Sequence, residues 1–295
     1  MAISYKQGVI TIVLAGLFWS FVPIGVREFS YANVWQILFY RSLGVLPLVY
    51  LLIARSSKGS PIAAIRATGH TSVFGAIGLV IAYACAISAL RMTTIANAAF
   101  LFATAPFFAA VLSKIILGEN IRRFTVIALT IAMLGTSFMV FESYTAGNWL
   151  GDLLALLSSI GFAIFVVSLR ANKTDDSLPV VFLGAVFSVI AAAAMCLTTG
   201  TGFSIPTHEI ILGICLGAFI LGVGMILCSI GSKVVPAAEL SLLCMTEIVF
   251  APIWAWLLLN ETPNTSVLIG GAAIVTAIVL NALSGMRYKR AIISV

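Results

Sequence analysis

Apolar residues run along this chain in long stretches separated by short polar connections. Ten such stretches are recognisable, at about 8–27, 33–54, 70–90, 94–117, 124–141, 149–170, 178–198, 209–232, 237–259 and 265–286. Each approaches the ~20 residues that a helix needs to cross a ~30 Å hydrocarbon core. The pattern predicts an all-α polytopic membrane protein with ten transmembrane helices. The first stretch exceeds the ~7–15-residue apolar core of a signal peptide. It also carries Trp19, Pro23 and a terminal Arg27 in place of a small-residue cleavage site, so it is read as a retained span.

One segment is written twice. Residues 91–119 (RMTTIANAAFLFATAPFFAAVLSKIILGE) and 233–261 (KVVPAAELSLLCMTEIVFAPIWAWLLLNE) superpose at a shift of 142, with Arg91 on Lys233, Thr104 on Thr246, Ala109 on Ala251 and Glu119 on Glu261. At a shift of 143, Trp19-Ser20 falls on Phe162-Ala163 and Arg27 on Arg170. The shift is about half of the 295 residues and covers five spans. Because five is odd, the second unit enters the bilayer from the opposite side, which predicts inverted repeats around a central cavity. The units are residues 1–145 and 146–295. Apolar helices share a small alphabet and can match by chance, but the paired glutamates argue otherwise in a chain so poor in acids.

Composition sharpens the class. Hydrophobic residues make up 61% and charged residues 9%, with a mean hydropathy of +1.16; soluble domains are nearer 45–50% and 25%. The net charge of +6 does not mark a nucleic-acid binder, because Lys and Arg are sorted by side. With ten spans, Lys6, Arg55, Lys58, Arg66, Arg122, Arg123, Arg170, Lys173, Lys233, Arg287, Lys289 and Arg290 share the N-terminal side, and only Arg27 and Arg91 face the other. The positive-inside rule makes the first side cytoplasmic, with both termini inside a cell (inner) membrane. There is no G-x4-GK-[ST], H-E-x-x-H or G-x-S-x-G, so neither ATP-driven transport nor a common intramembrane hydrolase is indicated. Cys85, Cys196, Cys215, Cys228 and Cys244 lie in or at spans without CxxC and are expected to pack as small apolar residues. No cofactor and no metal are expected. The expected partners are a small-molecule substrate and the lipid bilayer, with the chain a monomer or weak dimer.

Arg41 is the sharpest candidate, eight residues inside the second stretch. A charge there costs roughly 2.5–3.5 kcal/mol on insertion scales and normally faces the bundle interior. It either attracts a substrate carboxylate, tunes a gate, or ties backbone carbonyls structurally. Glu247 lies mid-span in the ninth stretch, on one stripe with Glu239; it can pair with Arg41, bind an ammonium or carry a proton. Glu239, at the helix start, is expected to cap it. Trp19, Tyr83, Asn97, Phe100, Thr104, Phe162, Ser241 and Cys244 complete the candidate substrate-binding set, with Ser159 and Met225 beside them. Each of these aromatic residues has a packing or interfacial reading as its alternative. Pro23, Pro106 and Pro252 are candidate hinges, and Glu119 and Glu261, ending matched helices at opposite faces, are candidate gate or loop anchors. Trp149, Trp254 and Trp256 are assigned to belt or packing, and Gly213 and Gly217 to close helix contact.

FWSFVPIGVREFS (18–30), FYRSLGVLPLVYLL (39–52), TTIANAAFLFATAPFFAAVLSKIILGE (93–119) and PAAELSLLCMTEIVFAPIWAWLLLNE (236–261) together resemble the EamA-type drug/metabolite transporters over nearly the whole length. The chain departs from that pattern at Glu247-Ile248, where the family often has Glu-Pro; here Pro252 follows one turn later. The aromatic richness looks most like the YddG type. That resemblance implies a secondary transporter exporting small neutral metabolites, aromatic and other neutral amino acids foremost, by alternating access. Multidrug or lipophilic-cation efflux is the alternative substrate class, and a non-transporting metabolite sensor or scaffold the alternative kind of protein. An enzyme is not expected.

Overall fold

The computed structural model describes residues 3–56, 62–63, 65, 69–92, 95–141, 149–171, 178–259 and 265–293. Their secondary structure is helical throughout. The helices are α1 (Tyr5–Trp19), α2 (Val22–Arg27), α3 (Val34–Ser56), α4 (Gly69–Met92), α5 (Ile95–Phe102), α6 (Ala105–Leu117), α7 (Arg123–Phe141), α8 (Trp149–Ala171), α9 (Leu178–Thr198), α10 (Thr207–Cys215), α11 (Val223–Ser232), α12 (Ala237–Cys244), α13 (Thr246–Leu259) and α14 (Thr265–Ile293). A π-helical stretch, Leu216–Gly222, joins α10 to α11. Among the described residues nine helical runs are long and apolar enough to cross a membrane, and Arg123–Phe138 is a shorter apolar helix at the fifth predicted position. Phe74, Ile115, Phe124, Leu134, Leu197 and Phe219 are 63–74% exposed, an outward apolar coat that hydrocarbon, not water, would cover.

Local chemistry explains several boundaries. Ser4 and Gln7 form a reciprocal capping box at the start of α1. Prolines sit in the first turns of α2 and α6, where no amide donor is missed. Gly118 ends α6 in the left-handed region, at φ 66°.

The breaks within spans do not all follow the prolines. The fourth span breaks at Ala103-Thr104, just before Pro106, but the ninth breaks at Met245, and the backbone of Pro252 lies within α13. What the two breaks share is a threonine. Thr104 Oγ1 donates to Leu101 O at 2.5 Å, and Thr246 Oγ1 donates to Leu243 O at 2.6 Å. Such a hydroxyl offers the local carbonyl an alternative to the helix ladder. The interruption in the ninth span thus lies seven residues before Pro252, where Thr246 competes for the backbone.

The helices pack in a defined set: α4 along α8, α1 along α11, α3 along α9, α7 along α14, and α6 against both α8 and α12. Close approach is built from glycine. A Cβ on Gly78 would lie 2.7 Å from Gly161 O, and one on Gly161 2.7 Å from Gly78 O, so α4 and α8 touch backbone to backbone. A Cβ on Gly217 would lie 1.9 Å from the carbonyl oxygen of Arg41. Gly213, one turn away, faces Tyr40 and the Arg41 amide, so the pair serves packing inside the bundle, as the spacing predicts. Gly217→Ala is expected to push the π-helical stretch off α3 and cost about 1–3 kcal/mol, the range for overpacking; a thermal melt in detergent checks it, and an unchanged melting temperature contradicts the contact.

Candidate functional site

Seven residues into α3, about 10 Å along the helix at 1.5 Å per residue, Arg41 is 3% exposed. Its guanidinium carbon stands 4.4 Å from the centroid of the Tyr83 ring on α4, a cation–π arrangement. Arg41 Nε and Nη2, Tyr83 Oη and Ser241 Oγ are buried and have no hydrogen-bond partner among the described residues. Tyr83 also lies within electrostatic reach of Glu247 and Cys228, and Cys228 contacts Cys244, itself within reach of Glu247. Glu247, the second residue of α13, is half-buried. The fold thus brings Arg41, Tyr83, Cys244 and Glu247 of the predicted set together, with Cys228 as an addition from the eighth span. Among the described residues no three His, Cys, Asp or Glu gather as metal ligands.

Beside this group, Trp19 and Phe162 meet edge to face, with ring centroids 5.9 Å apart at 85°. Trp19 is buried; its indole Nε1 donates to Leu221 O at 3.5 Å and packs on Gly224. The π-helical stretch supplies that carbonyl and also carries Gly217 against Arg41. A π segment interrupting an α-helix is frequently a functional feature. The glycines at 213, 217, 222 and 224 were its only signal in sequence, and they also suit plain close packing.

Other predicted residues take other roles. The Thr104 hydroxyl makes the helix break, and Ser159 Oγ also donates to Leu101 O, at 2.6 Å. Phe100 is half-buried on α5, which packs on α8. Met225 is buried, Pro106 is buried at the start of α6, and Pro23 is exposed. The side chains of Asn97 and Pro252, and Glu261 altogether, lie outside the described residues. Trp254 packs, donating to Ser20 Oγ at 2.8 Å and stacking on Phe21 at 4.5 Å. Trp149 and Trp256 are exposed.

The two ends of the bundle are tied differently. At the Tyr5 end, Glu239 Oε2 accepts from Tyr5 Oη at 2.6 Å and Oε1 from Arg122 Nε at 3.0 Å. Glu119 Oε1 accepts from Arg170 Nε at 2.9 Å, and its Oε2 from the Ala237 amide at 3.2 Å. Arg170 Nη1 also donates to Lys233 O at 2.7 Å. Burial opposes the charge on Arg122, but the Glu239 carboxylate outweighs it and holds the guanidinium above its ordinary value. Glu239, expected as a cap, instead ties α1, α12 and the connection before α7. At the opposite end, Glu209 is wholly enclosed; it accepts from the Ser30 and Tyr31 amides on Oε1 and the Ala32 amide on Oε2. Arg91 Nη2 donates to Ala32 O at 2.7 Å, and Tyr40 Oη to Phe203 O at 2.6 Å.

A bundle of interrupted apolar helices with polar groups enclosed inside it defines a multi-pass membrane protein of the transporter kind. Comparison makes this particular: the model of the EamA-like transporter family matches twice, over residues 6–141 and 149–283, and the chain belongs to that family. It is similar to the pseudopaline exporter CntI of Pseudomonas aeruginosa (strain UCBPP-PA14), 28% identical over 284 residues, covering 92% of this chain and 94% of the relative. An uncharacterized transporter of Archaeoglobus fulgidus is 25% identical over 279 residues, covering 93% and 96%. A solved structure described as "Crystal structure of protein" superposes with a TM-score of 0.78 at 18% identity, over 95% of this chain and 98% of that one, which speaks for the fold alone. The family and the relatives are transporters and not enzymes.

Proposed function

We propose that the protein is a secondary exporter of small neutral metabolites, neutral amino acids including aromatic ones foremost, working by alternating access between two inverted five-helix units. The observation that carries this reading is the group of Arg41, Tyr83 and Glu247 inside a membrane bundle: a buried cation stacked on an aromatic ring, with a half-buried acid within electrostatic reach of that ring. A small zwitterion with an apolar body needs those three elements, and ionisable groups held inside a membrane bundle ordinarily mark a substrate path.

The inverted arrangement draws support from the helix pairings. Moving each span five places turns the packing of third on sixth (α4 on α8) into eighth on first (α11 on α1), while second with seventh and fifth with tenth map onto themselves. Trp19 and Phe162, which coincide at the 143-residue shift, touch each other. The two family matches divide the chain at the same place. Export as the direction is in keeping with the name of the Pseudomonas relative, whose own substrate is pseudopaline; the finer likeness to the YddG type rests on the aromatic residues alone. A cytoplasmic placement of both termini, in the inner membrane, follows from the Lys and Arg bias.

Counterflow in liposomes tests the reading. Vesicles bearing the purified protein and preloaded with unlabelled amino acid are expected to accumulate labelled Phe, Trp, Thr or Met well above empty vesicles. No uptake of any of the four sinks the amino-acid assignment. Movement of a lipophilic cation instead, lost in Glu247→Gln, would install the drug-efflux alternative. Tight binding with no flux would mark a sensor.

A further inference from the structure

We infer that Arg41 is the receptor for one carboxylate of the transported molecule, which it takes on the guanidinium edge formed by Nε and Nη2 while the Tyr83 ring holds the group in place. The inference rests on the transport reading above and narrows it to carboxylate-bearing substrates. Three observations carry it. Arg41 is enclosed, 3% exposed, and the nitrogens without partners among the described residues are Nε and Nη2. Those two share one edge of the planar guanidinium, the edge that meets both oxygens of a carboxylate in a bidentate fork. The Tyr83 ring engages the cation 4.4 Å from its centroid, so the stacking fixes the group without consuming a donor. A buried donor left unsatisfied is costly, and a charged one more so.

The chemistry of the ligand follows from what surrounds the fork. Every other Lys and Arg whose structure is described lies within a turn of the end of a span or beyond it. One guanidinium matches one negative charge, which selects a carboxylate over a phosphate dianion. Glu247, within electrostatic reach of Tyr83, favours a positive group at the other end of the ligand. The orphaned Tyr83 hydroxyl offers a neutral hydrogen bond. Arg41 is closed off in this conformation, 3% exposed, so the ligand reaches the fork only when the bundle opens around it, with the stacking on Tyr83 kept. That is the behaviour of a carrier that encloses its site between exposures.

Calorimetry on the full-length protein in nanodiscs tests it with three probes: phenylalanine, phenylalaninamide and 3-phenylpropionate. The wild type is expected to bind both acids at least about tenfold more tightly than the amide, the scale of one charge-assisted bidentate contact. Arg41→Gln is expected to erase that preference and Arg41→Lys to keep part of it, since lysine preserves the charge but not the fork. If Arg41→Gln does not fold, Arg41→Lys and Tyr83→Leu carry the test, and each is expected to shrink the preference. Equal binding of acid and amide by the wild type, failure to bind either acid, or an undiminished preference in the variants overturns the inference. An internal Arg41–Glu247 pair would leave acid and amide equal, and so gives an overturning result. Acid preference without phenylalanine flux in vesicles keeps the receptor and rejects the amino-acid exporter; flux without acid preference does the reverse.

Discussion

Glu209→Ala is expected to destabilise the protein by about 3 kcal/mol, more than any other single acid-to-alanine change near the bundle ends. The carboxylate is 0% exposed and is the acceptor for three consecutive amides, Ser30, Tyr31 and Ala32, at 2.8–3.0 Å. An unsatisfied buried donor costs about 1–3 kcal/mol, and hydrogen bonds to a charged group are the stronger kind. The sum of three is discounted because Ser30 and Tyr31 are themselves exposed, so water can reach part of the vacated space. Glu209→Gln keeps one acceptor oxygen but points an amide donor at the remaining N–H groups, and is expected to lose roughly half as much. Thermal unfolding in detergent, with the yield of folded protein, checks both. An alanine variant that melts with the wild type would mean that the connection between the first two spans is held by Arg91 and its Ala32 contact instead.

Glu209 also shows where sequence reading stops. Placed three residues after Pro206, it looks like an ordinary acid in the first turn of a helix, favoured there by the dipole. Nothing local says that three amides some 177–179 residues away converge on it. The membrane class was legible because hydropathy is a sum over many residues and tolerates local error. The proposed repeat rests on Thr104 falling on Thr246 and Glu119 on Glu261, matches that stand out in an alphabet otherwise dominated by Ala, Leu and Ile. The location of the break in the ninth span was not legible. Proline is the conspicuous breaker, and Pro252 drew attention from Thr246, whose hydroxyl competes for one carbonyl without any compositional mark. The depth of Arg41 could be counted along the chain, but its partner could not, since Tyr83 faces it only after α3 and α4 have packed. Likewise Glu119 and Arg170 each stood out by repeat position, and only the fold joins them.

Those joined pairs converge where the short helix α12 begins. Its first residues carry the Ala237 amide bound to Glu119 and the Glu239 carboxylate bound to Tyr5 and Arg122; its last, Cys244, lies within electrostatic reach of Glu247. Eight residues of rigid helix thus couple the ties at the Tyr5 end to the interior, and α12 can move as a unit because the helix is interrupted at Met245. If the protein alternates, opening toward the Tyr5 end must break these ties. The Glu119–Arg170 bridge, with side chains 21% and 31% exposed, is partly screened and contributes about 1 kcal/mol or less. Glu239, 3% exposed beside an Arg122 that is 18% exposed, is the stronger element. Glu239→Gln replaces charge-assisted bonds by neutral ones and is expected to disfavour the closed end by about 2 kcal/mol, or roughly thirtyfold in the closed-to-open ratio. Cys244, 3% exposed, is a native reporter. An impermeant maleimide applied from the Tyr5 side, with the labelled peptide identified by mass spectrometry, is expected to modify Cys244 at least about tenfold faster in Glu239→Gln than in the wild type. Labelling is expected to stay unchanged in Glu28→Gln, an exposed acid at the far end. Equal labelling of Cys244 in wild type and Glu239→Gln would reduce the cluster to a structural clasp, and the opening of the carrier would have to be sought along α1 and α11 instead.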